Sequence, residues 1–139
     1  MQNNIFVPLD DLEVHMRSFR DARGLLTFAE EQNDFPFTLR RMFWITNVPP
    51  GTKRGGHAHN TCMEIVCCLQ GSFRLVLDNG RERRDFILDS PTYAVVIPAG
   101  VWCSLEDFTN DSVVLVGASE EFSLTGYIKD YDDFIQGFV

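Results

Sequence analysis

Short apolar runs punctuated by turn signals leave this chain little room for anything but a small β structure. The runs 39–48, 62–69, 72–77, 83–88, 93–97 and 112–118 carry the β-branched, aromatic and other apolar residues of strands, with 5–9 and 25–30 as weaker candidates. Gln70-Gly71-Ser72 and Asp78-Asn79-Gly80 are tight-turn signals between them, and Asn-Gly is a strong hairpin cue. Pro98-Ala99-Gly100 marks a further turn. Many short strands with such turns read as a sandwich or barrel. Helical spacing is scarce. Segment 12–20 is either a helix or more extended chain. Segment 127–138, with Ile128, Tyr131, Phe134, Ile135 and Phe138, predicts a short amphipathic helix docked on the barrel.

A chain of 139 residues suits one domain, residues 1–139, with one core. It is acidic, with net charge −8, and so lacks the basic face of a general nucleic-acid binder. No apolar stretch approaches the roughly 18 residues of a membrane span, and the first residues do not read as a signal peptide. The cytoplasm is the expected compartment. Cys62, Cys67 and Cys68 read as buried thiols, since adjacent Cys67 and Cys68 would face opposite sides of a strand.

The chemistry concentrates in Gly51-x5-His57-x-His59-x4-Glu64-x6-Gly71. Residues i and i+2 of a strand share a face, so both imidazoles can enter one cavity. Strict alternation would send Glu64 to the other face, and a turn or bulge near Asn60-Thr61 is expected to bring it back. Three readings are open. The histidines are ordinary polar residues at a strand end. Or His57, His59, Glu64 and Cys103 bind a divalent transition metal such as iron, zinc, nickel or copper. Or the histidines move protons at neutral pH without a metal.

This spacing matches the first motif of the cupin superfamily. Pro98-Ala-Gly100-Val-Trp102-Cys103 resembles the second, with cysteine where the last ligand would stand. The fold class implied is all-β: a cupin-type double-sheet β-barrel, or jelly roll, with a short C-terminal helix.

A longer resemblance runs through Asp21-Ala-Arg23-Gly24, Glu30, Pro36-Phe37, Arg41-Met-Phe-Trp-Ile45, Arg54-Gly-Gly-His57-Ala-His59 and Gly71-Ser72. It continues through Leu88-Asp-Ser-Pro91, Trp102, Asp107-Phe108, Val114-Leu-Val116, Ala118-Ser-Glu120 and Tyr127-Ile-Lys129-Asp-Tyr131-Asp-Asp-Phe134. In these pieces the chain resembles the sugar 3,4-ketoisomerases that act on thymidine diphosphate-4-keto-6-deoxyhexoses, the WxcM-like cupins. The resemblance implies an isomerase of deoxysugar and polysaccharide biosynthesis. It would shift a carbonyl from C4 to C3 through an enediol by acid/base chemistry, with no cofactor expected.

By that pattern His57 takes the C3 proton and His59 moves protons between the oxygens or returns one at C4. Arg41 and Arg54 are the candidates for the diphosphate. Trp102 is expected to wall the pocket, and Glu64 and Cys103 to meet the substrate. The implied partner is a nucleotide-diphosphate sugar, and the implied assembly a homodimer that exchanges N-terminal strands. The chain departs from the family at Phe43, Asn60, Glu64 and Cys103, where tyrosine, a basic residue, glutamine, and histidine or arginine are usual. Glu64 keeps a metal-dependent cupin enzyme (an oxygenase or epimerase-like catalyst) in view as one alternative. A non-catalytic sugar-nucleotide binding module is the other.

Overall fold

The computed structural model describes residues 5–138. Two five-stranded sheets face each other. One has the order β1 (Glu13–His15), β9 (Tyr93–Ile97), β6 (Glu64–Gln70), β11 (Val113–Ala118), β4 (Arg41–Thr46). The other runs β12 (Tyr127–Ile128), β5 (Arg54–His59), β10 (Trp102–Glu106), β7 (Phe73–Asp78), β8 (Arg83–Leu88). A separate hairpin pairs β2 (Arg17–Asp21) with β3 (Gly24–Phe28). The described strands pair antiparallel throughout. This is the double-sheet barrel of a cupin.

Strand alternation builds the core. Phe73, Leu75 and Leu77 of β7 meet Val66, Val95, Ile97, Val114 and Val116 of the opposite sheet in one apolar cluster. On β4, Arg41, Phe43 and Ile45 turn inward while Met42, Trp44 and Thr46 stay exposed. The Asn79-Gly80 signal joins β7 to β8, where Asn79 Oδ1 accepts the amides of Arg81 and Glu82. The chain turns as predicted at Gly71, between β6 and β7, with φ +72°. A Cβ there would run into Thr109 Oγ1 and stand 2.7 Å from Asp111 Oδ1 and 3.0 Å from Ser112 Cα. Strained backbone and overpacking each cost about 1–3 kcal/mol, so Gly71→Ala should lower stability by at least about 2 kcal/mol, read as a drop in the urea midpoint.

Of the two readings for segment 12–20 the extended one holds, giving β1 and most of β2. Three expectations change. Residues 5–9 form no strand; they are held by side chains, with Asn79 donating to Val7 O and Arg84 to Leu9 O. The C-terminal helix, α1 (Tyr131–Gln136), starts later than its apolar spacing suggests. Asp130 caps it by accepting the amide of Asp133, and Tyr127–Ile128 pairs as a strand instead. Lastly, β5 and β10 escaped the strand pattern. Gly55 and Gly56 weaken β5 locally, and a register slip opposite Cys103–Ser104 bulges it there.

Candidate active site

The bulge at Gly55–Gly56 lies immediately before the two histidines. Both glycines have φ above +70°, a left-handed conformation that most residues resist. A Cβ on Gly55 would stand 3.0 Å from the Cys103 carbonyl. After the bulge, β5 resumes strict alternation. Ala58 is buried on the side facing Ile128, and His57 and His59 both line a cavity of about 160 Å³ inside the barrel. Their ring centroids are 4.8 Å apart, edge to face.

Glu64 reaches the same cavity through the turn expected near Asn60-Thr61, which also changes sheets. Segment 60–63 bends and carries the chain from one sheet to the other, so Glu64 opens β6 and faces His59 from across the barrel. His59 Nε2 and Glu64 Oε1 are 3.6 Å apart, too far for a hydrogen bond. Among the described residues no side-chain or backbone donor reaches that carboxylate. Donor atoms of His57, His59 and Glu64 lie within 4.8 Å of one another.

Burial sets the protonation. It lowers the pKa of His57 below the usual 6.5, with nearby Lys129 adding to the fall. It lowers His59 to about 4, with His57 and Arg41 contributing. It raises Glu64 to about 7, against the opposing pull of Arg41. At neutral pH both imidazoles are therefore uncharged, and each offers one acceptor nitrogen.

Arg41 and Arg54 also line the cavity. Arg17, Arg23, Arg40, Arg74 and Arg84 each hold a carboxylate. Among the described residues Arg41 and Arg54 hold none. Arg41 is oriented instead by donating Nε to Glu120 O at 3.1 Å, with its guanidinium carbon 5.1 Å from the Phe43 ring centre. Two guanidiniums without a carboxylate partner thus stand at the cavity of an acidic protein.

Two of the predicted site residues lie elsewhere. Trp102 points to the outer side of its sheet and packs on Tyr131 and Phe134, anchoring α1 rather than walling the cavity. Cys103 pairs in register with His57 but is buried in the apolar core and does not line the cavity. Burial, and secondarily Glu64, push its thiol far up, so it stays protonated and makes a poor partner for either a metal or an anion.

Sequence reasoning also missed groups. The Tyr127 ring centre is 5.2 Å from His57 and 5.4 Å from His59, and its backbone pairs with His59. Lys129 holds its ammonium 4.9 Å from the Tyr127 ring centre. Both belong to the segment Tyr127-Ile-Lys129, whose apolar spacing hid its place beside the histidines. Phe122 and Ser123 of the segment between β11 and β12 complete the rim.

A narrow barrel with two uncharged histidines facing its interior and two unpaired arginines defines a cupin suited to proton transfer on an anionic ligand. The chain belongs to the family described as "FdtA: WxcM-like, C-terminal", whose model matches residues 11–138. It is 33% identical over 126 residues to the TDP-4-oxo-6-deoxy-alpha-D-glucose-3,4-oxoisomerase of Aneurinibacillus thermoaerophilus, covering 91% of each chain. Among solved structures it resembles a 3,4-ketoisomerase from Helicobacter canadensis, with TM-score 0.89 and 29% identity over 93% of this chain and 97% of that one. It also resembles QdtA, a sugar 3,4-ketoisomerase from Thermoanaerobacterium thermosaccharolyticum in complex with TDP. There the TM-score is 0.85 and the identity 34%, over 89% of this chain and 90% of that one.

Proposed function

We propose that the chain is a sugar-nucleotide 3,4-ketoisomerase that moves a carbonyl between C4 and C3 of a TDP-linked 4-keto-6-deoxyhexose. The observation that carries this is the pair of uncharged imidazoles on one interior face of the barrel, beside two unpaired guanidiniums. The names of its relatives support the same reaction.

The chemistry is proton transfer next to a ketone. His57, neutral at pH 7, takes the proton from C3, and the electron pair forms the C3–C4 double bond of an enediolate. The C4 oxygen gains a proton and the C3 hydroxyl loses one. His59, also neutral, accepts from one oxygen and returns to the other. Protonated His57 then gives its proton to C4, which leaves the ketone at C3 and the base free again. Arg41 and Arg54 hold the diphosphate, so the sugar is presented to the histidines with little freedom. Glu64, raised to about 7 by burial, meets the substrate partly as a carboxylic acid, which lessens repulsion of the diphosphate.

The test is a proton NMR time course with TDP-4-keto-6-deoxyglucose in deuterated water, run on chelator-treated, metal-analysed protein. Solvent deuterium entering the sugar together with a 3-keto product supports the proposal. Turnover that vanishes with the chelator and returns with a metal would assign His57, His59 and Glu64 to a metal-dependent enzyme instead. TDP binding without turnover would leave a binding module.

The protein acts as a homodimer in this reading. Met42, Trp44 and Leu69 are exposed apolar residues on β4 and β6, in the sheet that β4 ends with a free edge. The β2–β3 hairpin pairs with neither main sheet and exposes Phe19 and Leu26, and a lone hairpin is marginal in water. An apolar groove of about 250 Å³ lies between that hairpin and the sheet, and in this reading it takes apolar side chains from the exchanged N-terminal strands of a second copy. Sedimentation equilibrium should give twice 15.9 kDa for the chain, and Trp44→Asp should return it to the monomer mass. The cytoplasm is the proposed compartment. No described helix is long and apolar enough to cross a membrane, and the four cysteines are free and buried.

A further inference from the structure

The segment 119–126 crosses the mouth of the cavity on its way from β11 to β12, and it is tied down at both ends. Ser119 exchanges hydrogen bonds with Met63, its amide donating to Met63 O at 2.9 Å and its hydroxyl accepting the Met63 amide at 2.8 Å. Glu120 accepts from the Thr61 hydroxyl at 2.6 Å, and Glu121 from Arg40 at 3.2 Å. At the far end Gly126 O accepts the Asn60 amide at 3.0 Å. Between these anchors Phe122 lines the cavity yet remains 69% exposed. No described ring stacks on it.

Single exposed apolar side chains are ordinary on protein surfaces. Phe122 differs in its position. Arg41, the guanidinium best placed for a diphosphate, is fixed by its hydrogen bond to Glu120 O. Phe122 follows two residues later, and two residues of extended chain span at most about 7 Å. A phosphate on Arg41 therefore puts the rest of a nucleotide within reach of an open aromatic face. The cavity of about 160 Å³ has room for a sugar but not also for a base, which must lie at the rim. A flat aromatic there accepts any base through its π-face, and arginine beside it adds charge for the phosphates.

We infer that Phe122 is the platform on which the nucleobase of the substrate stacks, with Arg41 beside it taking the diphosphate and the barrel interior taking the sugar. This rests on the nucleotide-sugar reading above and adds the residue that separates recognition of the base from recognition of the phosphates.

Calorimetry with two probes tests it. TDP carries base and phosphates; inorganic pyrophosphate carries phosphates alone. Phe122→Ala should weaken TDP binding about 5- to 150-fold, leave pyrophosphate binding within twofold, and be rescued toward wild type by Phe122→Tyr. Equal TDP affinities for wild type and Phe122→Ala would overturn the inference alone and leave the isomerase reading standing. Parallel loss of both probes would also overturn it, since the residue would then only support the loop. Wild-type protein that binds neither probe would overturn the nucleotide reading, and this inference with it.

Discussion

Removing the His57 imidazole with His57→Ala is expected to lower kcat about 10²- to 10⁴-fold, the range for loss of a general base. TDP affinity should change less than threefold, because the diphosphate is assigned to Arg41 and Arg54. The proton that His57 takes is bound to carbon, so deuterium exchange at C3 should vanish along with product. His59→Ala should behave differently. With His57 present, exchange at C3 continues, while formation of the 3-keto product falls because protons no longer pass between the oxygens. The pH profile follows from the lowered His57 pKa. A base must be unprotonated, so kcat/KM should fall as pH drops through a value under 6.5. Full turnover by His57→Ala would sink the assignment.

Much of this was legible in the sequence where local pattern and tertiary context agree. Arg83–Leu88 and Tyr93–Ile97 have the bounds read from their apolar runs, because each is flanked by a turn signal and packs on the core. The His57-Ala-His59 pair was legible because alternation alone puts both rings on one face. The failures have a common physical origin. Arg54–His59 begins with Arg54-Gly55-Gly56, which have little strand propensity, and Trp102–Glu106 has polar residues among its apolar ones; each is held as a strand by the neighbours it pairs with. Tyr127 has apolar neighbours at helical spacing, but pairing with His59 outweighs that spacing until Asp130 caps the helix. Trp102 and Cys103 occupy motif positions, yet alternation on β10 lets only one of the two face inward. That one, Cys103, is shut behind the histidines in the core. Glu64 shows the opposite case. Its role depends on the chain changing sheets between His59 and Glu64, which no local periodicity can reveal.

Glu64 and His59 also give the fold a distinctive dependence on pH, visible only when one of them is removed. Glu64 moves from its ordinary 4.5 up to about 7, and His59 from 6.5 down to about 4, both chiefly through burial. Each displacement is worth about 3 kcal/mol. The signs oppose. Between pH 4.5 and 7 native Glu64 holds a proton that the unfolded chain has released, so its contribution to stability falls as pH rises through that window. Between pH 4 and 6.5 native His59 lacks a proton that the unfolded chain has bound, so its contribution rises with pH. From about pH 4.5 to 6.5 the native pair holds one proton in total, and so does the unfolded pair. Wherever that proton sits between two groups 3.6 Å apart, the wild type gains no slope from them. Substitution exposes each half. Relative to wild type, Glu64→Gln should gain up to about 3 kcal/mol as pH rises from 4.5 to 7, removing the burden of a buried carboxylate at high pH. His59→Gln should show the reverse, losing up to about 3 kcal/mol relative to wild type between pH 4 and 6.5. Urea unfolding of the three proteins at pH 4.5, 5.5, 6.5 and 7.5 reads both slopes, and each difference from wild type cancels the other titrating groups. Two differences that stay flat across this range would mean that neither group is desolvated in the folded barrel, and the case for uncharged histidines in the cavity would fall with them.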